Sequence, residues 1–220
     1  LQALSMRKNN SKTEATRLFA PIMCLSILIL STNCMSSKSG EAIKRHSTPK
    51  EQYAKKTIAV LPVAEQWESN KGSLDSTIPL RNEIGERIDT KFKSGLPNST
   101  IMTSDKSYKI LKVKENTKIL DEIGKTYANT GEIDYKQVDQ LSKLLQCEYL
   151  VFSRIKIVKG DAIIAKITTV TLEVFMIGKR EKEVVWGGAG TYKKGGIFGF
   201  GGTEAQAAAE ELVNLTFNSF

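Results

Sequence analysis

Three cysteines, a single histidine and a few neighbouring acids are the side chains of this 220-residue chain that could carry metal, covalent or acid–base chemistry. Most of that chemistry is excluded by number alone. His46 stands in a polar stretch, and without a cluster of His and Cys ligands a zinc site has nothing to coordinate it. No histidine follows residue 46, so the later chain cannot assemble a Ser-His-Asp relay. Cys147 lies in Leu144-Leu-Gln-Cys-Glu-Tyr-Leu150, has no base beside it, and reads as a small buried hydrophobe. Glu65 with Glu68, and Glu132 with Asp134, are pairs of the kind glycoside hydrolysis uses, but nothing sets either pair across a cleft. The reading is a non-enzyme without metal or cofactor.

The remaining cysteine, Cys34, has a context that matters. Arg7, Lys8, Lys12 and Arg17 precede an uncharged apolar run at 18–30, and Ser31-Thr-Asn33 lead into the cysteine. Basic head, apolar middle and small polar end form the order of an export signal. The run is 13 residues long, short of the roughly 20 that span a bilayer. The end of the signal resembles a relaxed bacterial lipoprotein box, with leucine four places before the cysteine and Asn33 adjacent. Cys34 is therefore expected to open the mature protein and to carry a diacylglyceryl thioether, its anchor to the membrane. The alternative is an uncleaved N-terminal anchor. Met6-Arg-Lys has the form of a signal opening, so translation is expected to begin at Met6, with 1–33 as signal peptide. Cys24 leaves with the signal and Cys34 is committed to lipid, so no disulfide is open to the mature chain.

The charge of the chain is +8. The four bases and one acid before Cys34 account for three of those charges, leaving about +5. A surplus that small, without a basic arm interleaved with aromatics, suits an anionic envelope surface and not nucleic acid. The apolar content of 40% and charged content of 25% are those of a globular domain.

Residues 34–55 read as the lipidated cysteine and a polar, basic tether, with an average reach of about 25 Å and at most roughly 70 Å. A single globular domain is expected over 56–220. Lys56-Thr-Ile-Ala-Val-Leu-Pro-Val63 predicts a short buried strand ended by Pro62, followed by a loop over 64–77 containing Trp67. Leu80, Ile84, Ile88 and Phe92 recur at helical spacing behind Pro79. A short strand is expected at 99–103 and a weaker helical pattern over 105–129. Asp134 with Gln137 signals a capping box before the stripe Val138, Leu141, Leu144 and Leu145. Strands follow: 149–157, a hairpin turn at Lys159-Gly-Asp161, then Val170, Leu172, Val174 and Met176 alternating with Thr169, Thr171 and Glu173, which predicts one covered face. A last strand at 183–186 leads to a glycine-rich loop over 187–202, with eight of the sixteen glycines, and Thr203 is expected to cap a closing helix. The order β-α-β-α-α-β-β-β-α predicts an α/β fold with a mixed sheet packed by helices.

On three stretches the chain resembles the envelope lipoproteins of the TolB N-terminal-like superfamily, which includes the curli secretion-pore lipoprotein and lipoprotein activators of peptidoglycan synthases. They are Lys56-Thr-Ile-Ala-Val-Leu-Pro-Val63, the helix-to-strand unit over 133–155, and Glu183-Val-Val-Trp186 before a glycine-rich stretch and closing helix. The family usually has Gly-Ala where Gln146-Cys147 stand here, and the long insertion that builds a pore barrel is not apparent. The resemblance implies an accessory module that docks an envelope protein. Self-assembly into an envelope or secretion structure, with this chain as a homo-oligomer subunit, and a surface adhesin are the alternatives.

Within 187–202, Ile197, Phe198 and Phe200 are the residues expected to bind a partner or a membrane interface, unless they fold back over the sheet edge. Lys193 and Lys194 beside them could meet phosphate or carboxylate. The glycine spacing is not that of a P-loop. Met35, where an aspartate would retain some lipoproteins at the inner membrane, points to the outer membrane, periplasmic side.

Overall fold

Alternation with a period of two builds the centre of the molecule, because a strand buries every second residue on each face. The computed structural model describes residues 36–44, 49–67, 78–113, 116–130, 132–161, 166–195 and 202–220. The strands are β1 (Ser36–Lys44), β2 (Thr57–Val60), β3 (Ala64–Trp67), β4 (Thr100–Met102), β5 (Tyr149–Asp161), β6 (Lys166–Gly178) and β7 (Glu183–Gly195). The helices are α1 (Ile78–Gly95), α2 (Ser104–Val113), α3 (Lys118–Thr130), α4 (Tyr135–Leu145) and α5 (Gly202–Thr216). The sheet order is β1-β7-β6-β5-β2-β4, with β3 also pairing β5. Its β1, β7, β6 and β5 neighbours run antiparallel, whereas β2 and β3 are parallel to β5 and β4 is parallel to β2. This is the expected mixed α/β architecture, with β1 and β3 added to it.

Two cores lie on opposite sides of the sheet. On the first, Ile58, Val60, Val151, Ile155, Leu172, Val174, Met176 and Trp186 meet the stripe Leu80, Ile84, Ile88 and Phe92 of α1 and Ala205, Ala209, Leu212 and Val213 of α5. Phe92, Trp186, Phe217 and Phe220 cluster with centroids 4.8–6.1 Å apart, edge to face except for the tilted Trp186–Phe217 pair. On the second, Ala59, Leu61, Leu150, Phe152, Phe175 and Ile177 meet α2, α3 and α4 through Leu111, Ile119, Ile123, Val138, Leu141 and Leu145.

Local signals place several ends. Asp134 accepts a hydrogen bond from the Lys136 amide at the start of α4, but Gln137 reaches Glu122 on α3 (3.3 Å), so only half of the expected capping box forms. Gln146 ends α4 in the left-handed region, φ 53°, a helix-ending conformation most often taken by glycine. Glu148 then ties this corner to the sheet by accepting the Thr57 amide at 2.8 Å. Asp89 on α1 caps α2 by accepting the Ser104 amide and hydroxyl at 3.1–3.2 Å.

The structure corrects five expectations. The stretch 36–44, read as part of a flexible tether, is β1, paired with β7 from Ser36↔Lys194 to Lys44↔Gly187. Ala64–Trp67, assigned to a loop, is β3, because beyond Pro62, which lacks an amide proton, the chain rejoins β5 at Ala64↔Arg154. The helical pattern over 105–129 is two helices, α2 and α3. Lys159-Gly-Asp161 is strand; β5 and β6 stay paired to Asp161↔Lys166, so the turn falls at 162–165, outside the described residues. The largest change is in the glycine-rich stretch, where residues 187–195 are strand and not loop.

The physical reason for that last change is close approach. A Cβ at Gly190 would lie 2.6 Å from the Leu212 carbonyl oxygen and 2.7 Å from the Thr216 hydroxyl, and Cβ atoms at Gly188 and Gly40 would collide with the Thr216 and Leu215 carbonyls. Gly40 and Gly190 face each other across β1 and β7. Together they make a side-chain-free floor onto which the backbone of α5 settles.

Candidate functional site

Helices α2, α3 and α4 pack on β2, β3 and the first part of β5. Beyond them β5, β6 and β7 continue, and the face that carries Phe152 and Phe175 turns polar along the same strands. The pairing lays this face out in rows. Arg154 stands opposite Glu173, which stands opposite Ala189 and then Glu41. The next row runs Lys156, Thr171, Thr191 and Ser39, and the one after it Val158, Thr169, Lys193 and Ser37.

The first row is held rigidly. Arg154 Nε donates to Glu173 Oε2 at 2.6 Å, and the two side chains are only 13% and 22% exposed. The Arg154 guanidinium lies 4.2 Å from the centroid of Tyr127 on α3. Tyr127 in turn packs edge-on to Phe152 and Phe175 at 5.9 and 5.2 Å. Burial raises the Tyr127 phenol above its usual range, and Glu173 adds to that while Arg154 opposes it. Tyr127 thus joins the apolar half of the face to the polar half. In the second row the Thr171 and Thr191 hydroxyls are 3.2 Å apart. Lys193, Ser39 and Glu41 are exposed.

Chemically this is a strip of hydroxyls and charges of both signs on paired strands, of a kind suited to recognition through hydrogen bonds and ion pairs. Among the described residues, no three His, Cys, Asp or Glu side chains converge as a metal site would require. Cys147 is buried, and desolvation pushes its thiol up to about 11.

Of the residues singled out from sequence, Lys193 and Lys194 sit at the end of β7, not on a loop, and Lys193 is exposed on the polar face. Cys34, Ile197, Phe198 and Phe200 lie outside the described residues, as do the signal segment and His46. Trp186, set aside as packing, is fully buried. Arg154, Glu173, Tyr127, Thr171 and Thr191 were missed. The alternation Thr169-Thr171-Glu173 does predict an uncovered face, but a turn centred on Gly160 would set Arg154 opposite Lys166. A register error of this kind assigns every residue the wrong cross-strand partner.

No family model and no curated protein matches the sequence. Among solved structures, the chain is similar to lipoprotein GNA1162 from Neisseria meningitidis, with 10% identity over 64% of this chain and 83% of that one and a TM-score of 0.36. The PelC dodecamer subunit from Paraburkholderia phytofirmans is 12% identical over 84% of this chain and 96% of that one, TM-score 0.40. The LpoB C-terminal domain from Escherichia coli is 13% identical over 63% of this chain and 83% of that one, TM-score 0.38. Similarity at this level does not establish a shared role.

Proposed function

We propose that this chain is an exported envelope module, anchored through a diacylglyceryl thioether on Cys34, that acts without catalysis by docking a protein partner on the open face of β5–β7. The observation that carries the reading is the ordered polar strip itself. Arg154, Glu173 and Tyr127 fix one margin, and Lys156, Thr171, Thr191 and Lys193 continue it on strands whose other side is sealed by α5. A rigid face needs little ordering when a partner binds, which favours affinity. Lys194 takes the alternate register position, on the α5 side of β7, whereas Ile197, Phe198 and Phe200, which follow β7 in sequence, belong to the docking surface in this reading. The basic-apolar-Cys34 order supports export and anchoring, and Met35 supports the outer membrane, on its periplasmic side.

A second reading, self-assembly, has one observation in its favour. Among the described residues β1 is an edge strand of nine residues paired only to β7, and a long edge is a template for another strand.

The test is a photo-crosslinker at Thr191 in cells, with mass spectrometry of what is captured. The expected result is one envelope protein, lost when Lys156→Glu and Lys193→Glu are combined and reduced by Phe198→Ser with Phe200→Ser. Capture of a second copy alone, unaffected by those changes, would replace docking with assembly. Loss of membrane fractionation on Cys34→Ser checks the anchor.

A further inference from the structure

Two neighbouring segments are held to the domain in different ways. The 3-10 helical turn Lys50–Tyr53 is pinned. Tyr53 is fully buried in the first core and packs edge-on to Tyr149 at 5.1 Å. Its carbonyl accepts the Ser99 hydroxyl at 2.7 Å, and the Lys50 ammonium lies 4.4 Å from the centroid of the Phe220 ring. β1, a few residues earlier, is not held like this. Of its side chains that are described, Lys38, Ser39, Glu41 and Ile43 are all exposed, and Gly40 has none to bury. Among the described residues, neither core takes a side chain from β1. The strand is held by backbone pairing with β7 along one edge, by the approach of Gly40 to the α5 backbone and by the Lys38–Glu211 ion pair at 3.0 Å. A solvent-exposed ion pair contributes little. The backbone pairing must offset the entropy of ordering nine residues.

Local sequence preference runs the same way. Ser36-Ser-Lys-Ser-Gly-Glu-Ala-Ile-Lys44 has one β-branched residue, Ile43, and otherwise no residue type enriched in strands. A coil-like sequence set in a strand by a distant edge is a conflict between local and global preference, which is how a segment with two accessible states reads. Elements with few buried apolar contacts are the ones that open below global unfolding.

We infer that β1 is a releasable strap: it leaves β7 as a unit while the rest of the domain stays folded, and the pinned turn at Lys50–Tyr53 stops the opening. Its effect on reach rests on the anchoring reading above. With β1 docked, only Met35 separates Cys34 from Ser36, and two residue steps span at most about 7 Å. With β1 released, the sixteen steps from Cys34 to Lys50 form a tether with an average reach of about 22 Å and at most roughly 56 Å. The open face changes too. Docked, Ser39 and Glu41 complete its rows beyond Thr191 and Ala189; released, the rows end at β7. The strap exchanges a long reach and a narrower face for a short reach and the full face.

The test is hydrogen exchange of the full chain, resolved by residue with NMR. The amides of β1, and the β7 amides that donate to it, should exchange at one common rate. That rate should be at least about a hundredfold faster than in β5 and β6, yet slower than in an unstructured chain. Equal protection of β1 and β5 would overturn the strap, and so would β1 amides exchanging at the unstructured rate. Gly40→Val puts a side chain against the Leu215 carbonyl. It should bring the β1 amides to the unstructured rate while β5 and β6 keep their protection and the denaturation midpoint stays near the parent's. A midpoint lowered as far as by Gly188→Val would show β1 to be integral to the fold and overturn the proposal. Reach is read in acylated protein on vesicles with an energy acceptor on the lipid headgroups and a dye at Arg180→Cys; buried Cys147 stays unlabelled. Gly40→Val should lower energy transfer about twofold, as the domain moves out on its tether. Unchanged transfer in protein whose mass shows acylation would overturn the tether. Absence of acyl mass would instead overturn the anchor on which the tether rests.

Discussion

On the α5 side of β5–β7, Val170, Leu172, Val174, Met176 and Trp186 are buried to 1% or less and the glycines of β7 bring the helix backbone down onto the sheet. On the other side the same strands carry Thr169, Thr171, Glu173, Thr191 and Lys193, half-buried or exposed, and organised by contacts that include the Arg154–Glu173 ion pair, the Arg154–Tyr127 stacking and the Thr171–Thr191 hydroxyl pair. Backbone, twist and hydrogen bonding are common to the two faces, so the difference between them comes from side chains alone. The sealed face holds its shape by volume, where any added or removed methyl group is felt. The open face holds its shape by polar contacts, with Lys193 exposed at its end. Stability is concentrated on one side, and the recognition proposed above lies on the other.

Substitutions can break that contrast. Trp186→Ala removes the centre of the aromatic cluster and should cost about 3–5 kcal/mol in chemical denaturation. A cost comparable to that of open-face changes would mean the division is wrong. Gly188→Val drives a side chain into the Thr216 carbonyl and should cost about 3 kcal/mol. Its open-face counterpart Thr191→Val should stay within about 0.5 kcal/mol, so the pair reads the two faces at almost adjacent positions. Arg154→Ala falls between them, at about 1–2 kcal/mol, from the loss of a charge-assisted bond and the packing over Tyr127. It should also weaken partner capture, which the two sealed-face variants would alter only by unfolding the domain.

The smallest effect concerns pH. Asp89 is buried on α1, and desolvation lifts its carboxyl above the usual range, opposed by the Ser104 amide and hydroxyl and by Lys93. Because the folded value is the higher one, its contribution is present in acid, below the unfolded value near 3.8, and fades as pH rises through the folded value. Asp89→Asn should therefore match the parent at low pH and gain slightly on it above that window, measured as denaturation midpoint against pH.

Local pattern carried the sequence a long way. The stripe from Leu80 to Phe92, the cap at Asp134 and the alternation in β6 are each decided by residues within a few positions of one another, and the chain folds there as they require. What local pattern could not decide was anything set by a distant partner. Ser36–Lys44 is polar enough to read as coil and becomes a strand only because β7 offers it an edge. The glycines of β7 read as a loop because glycine frees the backbone; the tertiary fold uses them instead for their missing side chains, beneath α5. Arg154 and Glu173 meet because a turn a few residues further along sets their register. Strand pairing and helix docking depend on surfaces brought together across the chain, and the free energy that fixes them appears only once both surfaces exist.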